Sequence, residues 1–500
     1  MSSENKNKNP LFISFLTLGF LFIFSSIQYP SEISIFKLRN FCLYQDILKN
    51  NNDNSETLDD IPDENIKYNP TISYFKALSD TFSFIQSQEK VINESFKSDE
   101  TLVYKASAYD NVFFFKPLDS FFNSLKNTEQ NGKKIRVAYF GDSMIEGDLI
   151  TQTIRELLQN KFGGNGVGFV PITTRSAQYR NSIKHTFSKD WQSFPFNKYK
   201  DMQFGLSGYV FNPSQIVSAN SYMNNSDNSW VAFKSSNVSK RLNKFHVVKL
   251  YYGTSRKSNI LKCEIDNKQE VSQQINGKYL VNEFIANNTT PINEVKFNFI
   301  TKENLNVYGV SFEDTSGIYI DNYSFRGNSG VNLVSIPKEI LTDFNKYMDY
   351  SLVVLQYGVN VADPSMKSFG WYEKAMINVI NYIKQTMPKA SILLVSVGDR
   401  AWKNGTVYET SPAIPKLINA QKHIAQRTGV AFWNLFEAMG GNNSIIDWVE
   451  NEAPLANKDY THFNHRGADR VARLMTKDIL SEYENYKNNE QEKYLSQRLK

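Results

Sequence analysis

Residues 135–162, IRVAYFGDSMIEGDLITQTIRELLQNKF, read as an apolar strand, a tight turn and a helix. Ile135 to Phe140 is a β-branched and aromatic run of buried-strand type, and Gly141 gives the backbone the freedom a sharp turn needs. From Asp148 the apolar residues Leu149, Ile154, Leu157, Leu158 and Phe162 recur at helical spacing until Gly163-Gly164 stops them. Ser143 falls in the turn. A hydroxyl there sits at the carboxyl end of a strand, with a helix expected behind it whose free N–H groups favour developing negative charge. Capping that helix is the blander role for the same serine.

Downstream of residue 318 the texture repeats. IYIDNYSF (318–325), YSLVVLQYG (350–358), ASILLVSVG (390–398) and GVAFWNLF (429–436) read as strands, alternating with helices expected over 337–344, 371–386 and 413–428. Such alternation implies a parallel sheet covered on both faces. Ligands in such sheets bind at the strands' carboxyl ends, where RGNSGVN (326–332) and QYGVN (356–360) begin.

Between these halves, about 180–312, lie short alternating segments such as WVAFKS, FHVVKLYYG and EVKFNFIT separated by Asn, Ser and Gly turns. That spacing indicates an antiparallel β-sandwich inserted over 181–315. Its aromatics, among them Trp191, Tyr222, Trp230, Tyr251 and Tyr252, either form a sugar-stacking platform or fill its core. The glycine-rich GGNGVGFVP (163–171) follows a helix and lacks both the G-K-[ST] ending and the G-x-G-x-x-G order, so it is not a phosphate loop. It reads as a turn near the active-site face.

Residues 11–29, LFISFLTLGFLFIFSSIQY, carry no charge and follow Lys6 and Lys8. They read as an N-terminal membrane helix over 1–30 with the body outside the cytoplasm, a cleaved signal being the competing reading. Residues 31–130 combine an Asn/Asp/Glu/Ser-rich spacer with a helical lead-in, and 486–500 form a charged tail. A net charge of +5 over 500 residues, with no dense Lys/Arg cluster, argues against nucleic-acid binding. Cys42 and Cys263 are the only cysteines, which excludes a cysteine-built metal site and leaves a disulfide or two free thiols open.

A nucleophilic serine needs a base within hydrogen-bond reach, and an imidazole base needs a carboxylate to fix its tautomer. KDYTHFNHRGA (458–468) supplies both, as His462 and Asp459. A zinc reading of His462 and His465 lacks a third ligand, so no metal or cofactor is expected.

Gly141-Asp142-Ser143, the RGNSG loop, Gly358-Val359-Asn360 and Asp459-Tyr460-Thr461-His462 stand in the order of the four blocks of the SGNH, or GDSL-type, hydrolases, which the chain resembles over 131–180 and 316–480, within an expected second domain part of 316–485. The resemblance implies a three-layer, flavodoxin-like α/β fold with a parallel sheet. It assigns Ser143 as nucleophile, His462 as base and Asp459 as its partner, and Ser143 N–H, Gly330 N–H and the Asn360 amide as oxyanion donors. Val361 stands where the family has aspartate. Asp399 and Arg400, after another strand, are candidates for touching substrate. A membrane-anchored member with an inserted sandwich is similar to bacterial peptidoglycan O-acetylesterases. This implies a serine esterase acting on an acetylated polysaccharide or peptidoglycan, with an O-acetyltransferase or a glycan-binding protein with a vestigial site as alternatives. Because the insert lies between the first two blocks, it is expected beside the cleft, setting substrate preference.

Overall fold

The computed structural model describes residues 32–33, 36–37, 116–213, 229–256 and 259–498. The segment expected to span a membrane, and with it Cys42 and Tyr222, lies outside these residues. Among the described residues no helix is long and apolar enough to cross a membrane. Residues 32–33 and 36–37 form a minimal antiparallel pair, and the layers and larger sheets of the fold are built from residues 116–498.

Five strands form one wholly parallel sheet: β1 (Ile135–Gly141), β2 (Ile318–Ser324), β3 (Tyr350–Gln356), β4 (Ser391–Val395) and β5 (Ala431–Trp433). They are ordered β2-β1-β3-β4-β5. This is the flavodoxin-like order, and its reversal point lies between β1 and β3. Each strand is buried along nearly its whole length, as a sheet covered on both faces requires. Helices α1 (Asp119–Asn131), α2 (Thr151–Phe162) and the long α8 (His465–Arg498), which follows the short α6 (Leu435–Met439) and α7 (Ser444–Glu450), cover one face, where Ile135, Val137 and Tyr139 of β1 share a core with Phe121, Ile154 and Tyr483. Helices α3 (Lys338–Met348), α4 (Gly370–Thr386) and α5 (Ala413–Thr428) cover the other, against Ala138 and Phe140. The alternation along β1 is the period-two signature of a strand facing two cores. Truncating Phe344, fully buried on α3, costs about 3–5 kcal/mol by the usual scale of aromatic deletions.

Two departures from the sequence reading concern the segments next to Ser143. No α-helix starts directly behind the serine. Ser143–Asp148 is a 3-10 segment kinked at Glu146 and Gly147, and α2 begins only at Thr151. The cause is a buried ion cluster: Asp148 receives Arg155 at 2.7 Å and Arg180 at 3.4 Å, and Thr151 Oγ1 donates to it at 2.5 Å. These bonds fold the chain through positive-φ backbone at Asp148 and Ile150 (φ 69° and 65°). The second departure is the glycine-rich loop. Gly163 O accepts from Ile318 N, at the amino end of β2, so the loop lies at the opposite end of the sheet from Ser143. A helix that starts at the strands' carboxyl ends must finish at their amino ends.

From Gly168 to Glu313 the chain builds two antiparallel sheets. One has five strands, including Ile183–Phe187, Ser229–Ser235 and Glu294–Ile300; the other has six, including Trp191–Pro195, Val247–Tyr252 and Val307–Glu313. Their facing surfaces share a core, with Trp191 edge-on to Phe299 (5.1 Å) and Phe233 to Phe312 (5.0 Å). Trp191, Tyr251 and Tyr252 are buried, so these three candidate sugar-stacking rings serve packing instead. Trp230 is half-buried with the Lys296 amine 5.2 Å from its ring centre. Cys263 is a buried free thiol whose pKa burial pushes up to about 12.

This region also packs on the α/β layers. Tyr251 and Tyr308 meet Phe344 of α3 at 5.8 and 5.2 Å. Arg136 of β1, 2 % exposed, binds Asp321 of β2 at 2.6 Å, Glu313 at the end of the inserted strands, and Ser311. The connections enter and leave at the amino ends of β1 and β2, far from Ser143, which corrects the expectation that they flank the cleft. Residues 175–209 nevertheless reach back to it: Phe196 and Tyr209 pack on Phe325, 4.6 and 4.9 Å away, at the start of the RGNSG loop. Residues 486–498, expected as part of a charged tail, continue α8, in keeping with the high helix propensity of Glu, Lys and Gln.

Candidate active site

β1 delivers Ser143 to the carboxyl edge of the sheet beside the reversal point. Gly141 is needed there because a Cβ would come within 2.9 Å of Ile145 and 3.1 Å of Gln356 O. Asn322, at the end of β2, fixes the following turn by donating to Ile145 O and Thr151 Oγ1, both at 2.8 Å. As first residue of its 3-10 segment, Ser143 has an N–H that the segment itself cannot bond.

Ser143 Oγ lies 2.8 Å from His462 Nε2, and His462 Nδ1 lies 2.7 Å from Asp459 Oδ2. The other Asp459 oxygen accepts the N–H groups of Thr461 and His462, both at 3.0 Å. Burial raises the Asp459 pKa, but the hydrogen bonds from His462 and Thr461 outweigh it and hold the carboxyl below its ordinary value. The carboxylate is thus ionised and aimed at the imidazole, as a base-orienting group must be.

Asn360 is half-buried after β3 and donates from Nδ2 to Asn328 O (2.9 Å) and Asp142 Oδ2 (3.2 Å). Gly330 N–H donates to Asn328 Oδ1 at 3.0 Å. Both donors assigned to an oxyanion by resemblance therefore have acceptors within the protein in this state. Gly330 itself is required by its backbone, with φ 91° and Tyr357 2.7 Å from where a Cβ would stand. Asp142 is 1 % exposed, and burial pushes its pKa up to about 7 against the lowering effects of Met144 N–H, His462 and the Asn360 amide.

No protein-family model matches the sequence, and no curated protein matches it. Among solved structures, a peptidoglycan O-acetylesterase superposes with a TM-score of 0.59 at 20% identity, over 73% of this chain and 96% of that one. The chain shares the α/β fold of that esterase. A family two carbohydrate esterase from Cellvibrio japonicus is also matched, with a TM-score of 0.24 at 8% identity, over 61% of this chain and 98% of that one.

On this fold the four sequence blocks meet at one end of the sheet. Ser143, His462 and Asp459 form a continuous hydrogen-bonded chain, and Asn360 donates to Asp142, the residue before Ser143. Asp399 is turned inward, whereas Arg400 is half-buried. Asp399 is 2 % exposed and accepts from Arg400 N, Thr410 Oγ1 and Ile445 N at 2.9, 2.9 and 3.0 Å; as a loop-tying acceptor in a buried setting it has a raised pKa. Arg400 Nη1 donates to Val359 O (3.1 Å) and Ala362 O (3.4 Å), on either side of Asn360. Asn328, absent from the sequence assignment, organises both Gly330 and Asn360; its place inside RGNSG was the available signal. His465 is exposed at the start of α8. No cluster of three His, Cys, Asp or Glu side chains among the described residues is disposed to hold a metal.

Proposed function

We propose that this chain is a serine esterase that removes O-acetyl groups from a cell-envelope glycan through an acyl-enzyme. The observation that carries the reading is the Ser143–His462–Asp459 chain, at 2.8 and 2.7 Å, at the reversal point of the sheet. His462 Nε2 takes the Ser143 proton as Oγ attacks the ester carbonyl, and Asp459 stabilises the imidazolium that forms. The same imidazolium then protonates the leaving sugar oxygen. A water deprotonated by His462 attacks the acyl-serine and releases acetate, returning the proton to Ser143.

The oxyanion is placed against the Ser143 N–H, which heads its 3-10 segment. Asn360 joins by exchanging its longer bond, the 3.2 Å one to Asp142, while its bond to Asn328 holds the amide in place. Each such donor is worth about 10²–10³ in rate. The acetylated-glycan assignment leans on the peptidoglycan O-acetylesterase whose fold the chain shares and on the polar Asn and Ser character of the surrounding loops. The uncharged stretch 11–29 fits an anchor that holds the enzyme at the envelope; membrane fractionation of the full chain against one lacking residues 1–30 tests it, and equal release of both into the soluble fraction overturns it.

The decisive assay is acetate release from 4-nitrophenyl acetate and from O-acetylated peptidoglycan. Ser143→Ala and His462→Ala should each lower turnover by about 10³-fold or more, and the double variant should be no slower than the singles, because the two residues act as one unit. Wild-type turnover no faster than Ser143→Ala would discard the reading in favour of a glycan-binding role. Acetyl transfer to a glycan acceptor outpacing acetate release would make the protein a transferase.

A further inference from the structure

A small antiparallel hairpin, Ala401–Asn404 paired with Val407–Thr410, projects from the end of β4 and touches the loop that carries Asp459 and His462. Its tip is solvent-facing, with Val407 63% and Tyr408 39% exposed, so it contributes little to either core. Yet its attachments are specific. Tyr408 stacks flat on Tyr460, with ring centres 4.2 Å apart and planes 14° apart. Ala401 N–H donates to Tyr460 O at 3.1 Å.

Tyr460 is the unusual residue of that loop. It sits between the carboxylate and the imidazole in left-handed backbone, φ 53°, a conformation that a bulky side chain adopts only when its surroundings impose it. The consequence is visible in the next two residues: the chain turns so that the N–H groups of Thr461 and His462 both point back at Asp459 Oδ1. That turn brings Asp459 Oδ2 to His462 Nδ1. If Tyr460 relaxed to a right-handed conformation, the peptide planes on both sides would rotate and the carboxylate would lose its aim. The Asp459 and His462 side chains are themselves half exposed; the buried Phe463 anchors the loop beyond His462, on the far side from Tyr460.

We infer that the hairpin 401–410 is a clamp on the catalytic loop, and that the Tyr408 ring is a positioning residue that keeps Tyr460 left-handed and Asp459 on His462. The inference rests on the esterase reading of the same site. The base of the hairpin extends this role to the other side of the cleft. Thr410 is fixed by Asp399 and by Asn443, and Arg400, the residue before the hairpin, donates to the carbonyls of Val359 and Ala362 around Asn360. One short segment after β4, residues 400–410, therefore sets both the base and the side-chain oxyanion donor. A substrate platform is the competing role for an exposed tyrosine at this rim, and the two roles separate kinetically.

The test uses the full chain and 4-nitrophenyl acetate, a substrate too small to need a platform. Tyr408→Ala should lower kcat by about 10–100-fold, the scale expected when reacting groups are misplaced by roughly 1 Å, with KM changed less than twofold and the melting temperature unchanged. Tyr408→Phe keeps the ring and should stay within twofold of wild type. Tyr460→Gly accepts left-handed backbone without a clamp, so in that background Tyr408→Ala should cost less than twofold. A wild-type kcat for Tyr408→Ala overturns the clamp. So does a rise in KM alone, or an undiminished Tyr408→Ala effect in the Tyr460→Gly background; these outcomes assign the hairpin to substrate contact. Failure of the underlying esterase reading is seen separately, as wild-type turnover equal to that of Ser143→Ala.

Discussion

The two halves of the Ser143–His462 pair are held by opposite means. On the serine side the turn rests on charge buried at depth: the Asp148 and Arg155 side chains have no exposed surface, and Arg180 and Asn322 complete the cluster. On the histidine side the side chains of His462 and Asp459 are 37% and 50% exposed, and the loop is held by hydrogen bonds, the Tyr408–Tyr460 stack and the buried Phe463 ring against Trp448. The serine turn belongs to the folding core, whereas the histidine is mounted on the surface. Damage to the first should appear as lost stability, and damage to the second as lost chemistry on an intact fold.

The sharpest separation should come from Asp459→Asn. It leaves the loop's shape in place but favours the wrong imidazole tautomer, and the rate should fall by about 10²–10⁴-fold with no measurable change in the urea unfolding midpoint. A drop in that midpoint comparable to a core mutation would erase the distinction between the two sides.

Asp148→Ala is the converse experiment. It strands Arg155 and Arg180 in the interior, and breaking a buried pair of this kind costs about 3–5 kcal/mol, to be read from the same urea titration. Restoring neutrality with Arg155→Met in the Asp148→Ala background should recover part of the loss. An exposed-site cost below about 1 kcal/mol would show that the cluster is not what holds the serine turn.

The smallest effect is a pH signature at Asp142, which sits between the two sides. Its carboxyl is raised to about 7 in the folded protein from an ordinary value near 3.8, so between these values the folded chain holds a proton that the unfolded chain has released. Stability from this group is therefore fully present below pH ~4 and is lost as pH rises through about 7. Asp142→Asn cannot titrate, and its melting temperature should fall less steeply than that of wild type across that window. Parallel curves would mean that Asp142 is ionised throughout and the Asn360 amide always faces a charged acceptor.

The parallel sheet was legible in sequence because each strand is a short apolar run whose boundaries are set by local turn residues; helix 413–428 coincides with the structure for the same reason. Ser143, His462, Asp459 and Asn360 were legible because each follows a strand or precedes a helix in a short, distinctive block. What stayed hidden depends on partners distant in the chain. The sequence around Asp148 does not reveal Arg180, so the delayed start of α2 was unforeseeable. Asp399 read as a rim carboxylate because its acceptor role involves Thr410 and Ile445. The engaged state of Gly330 N–H depends on the side-chain rotamer of Asn328, which periodicity does not report. The direction of the glycine-rich loop needed only one further step, since a helix leaving the carboxyl edge must end at the amino edge.

The arginine between β1 and β2 bears on how such a protein can be recombined. Arg136 is neutralised from two sources, Asp321 within the sheet and Glu313 at the end of the inserted strands, with Lys134 and Lys249 also on Glu313. An insert transplanted from another protein would bring its own residue to the Glu313 position, and a mismatch there would leave a cation buried with half its counter-charge. Chimeras of this fold should therefore survive only when the exchanged segment travels with its matching residue on β1. The inserted sheets are contiguous in sequence, but as a unit of exchange their boundary runs through Arg136.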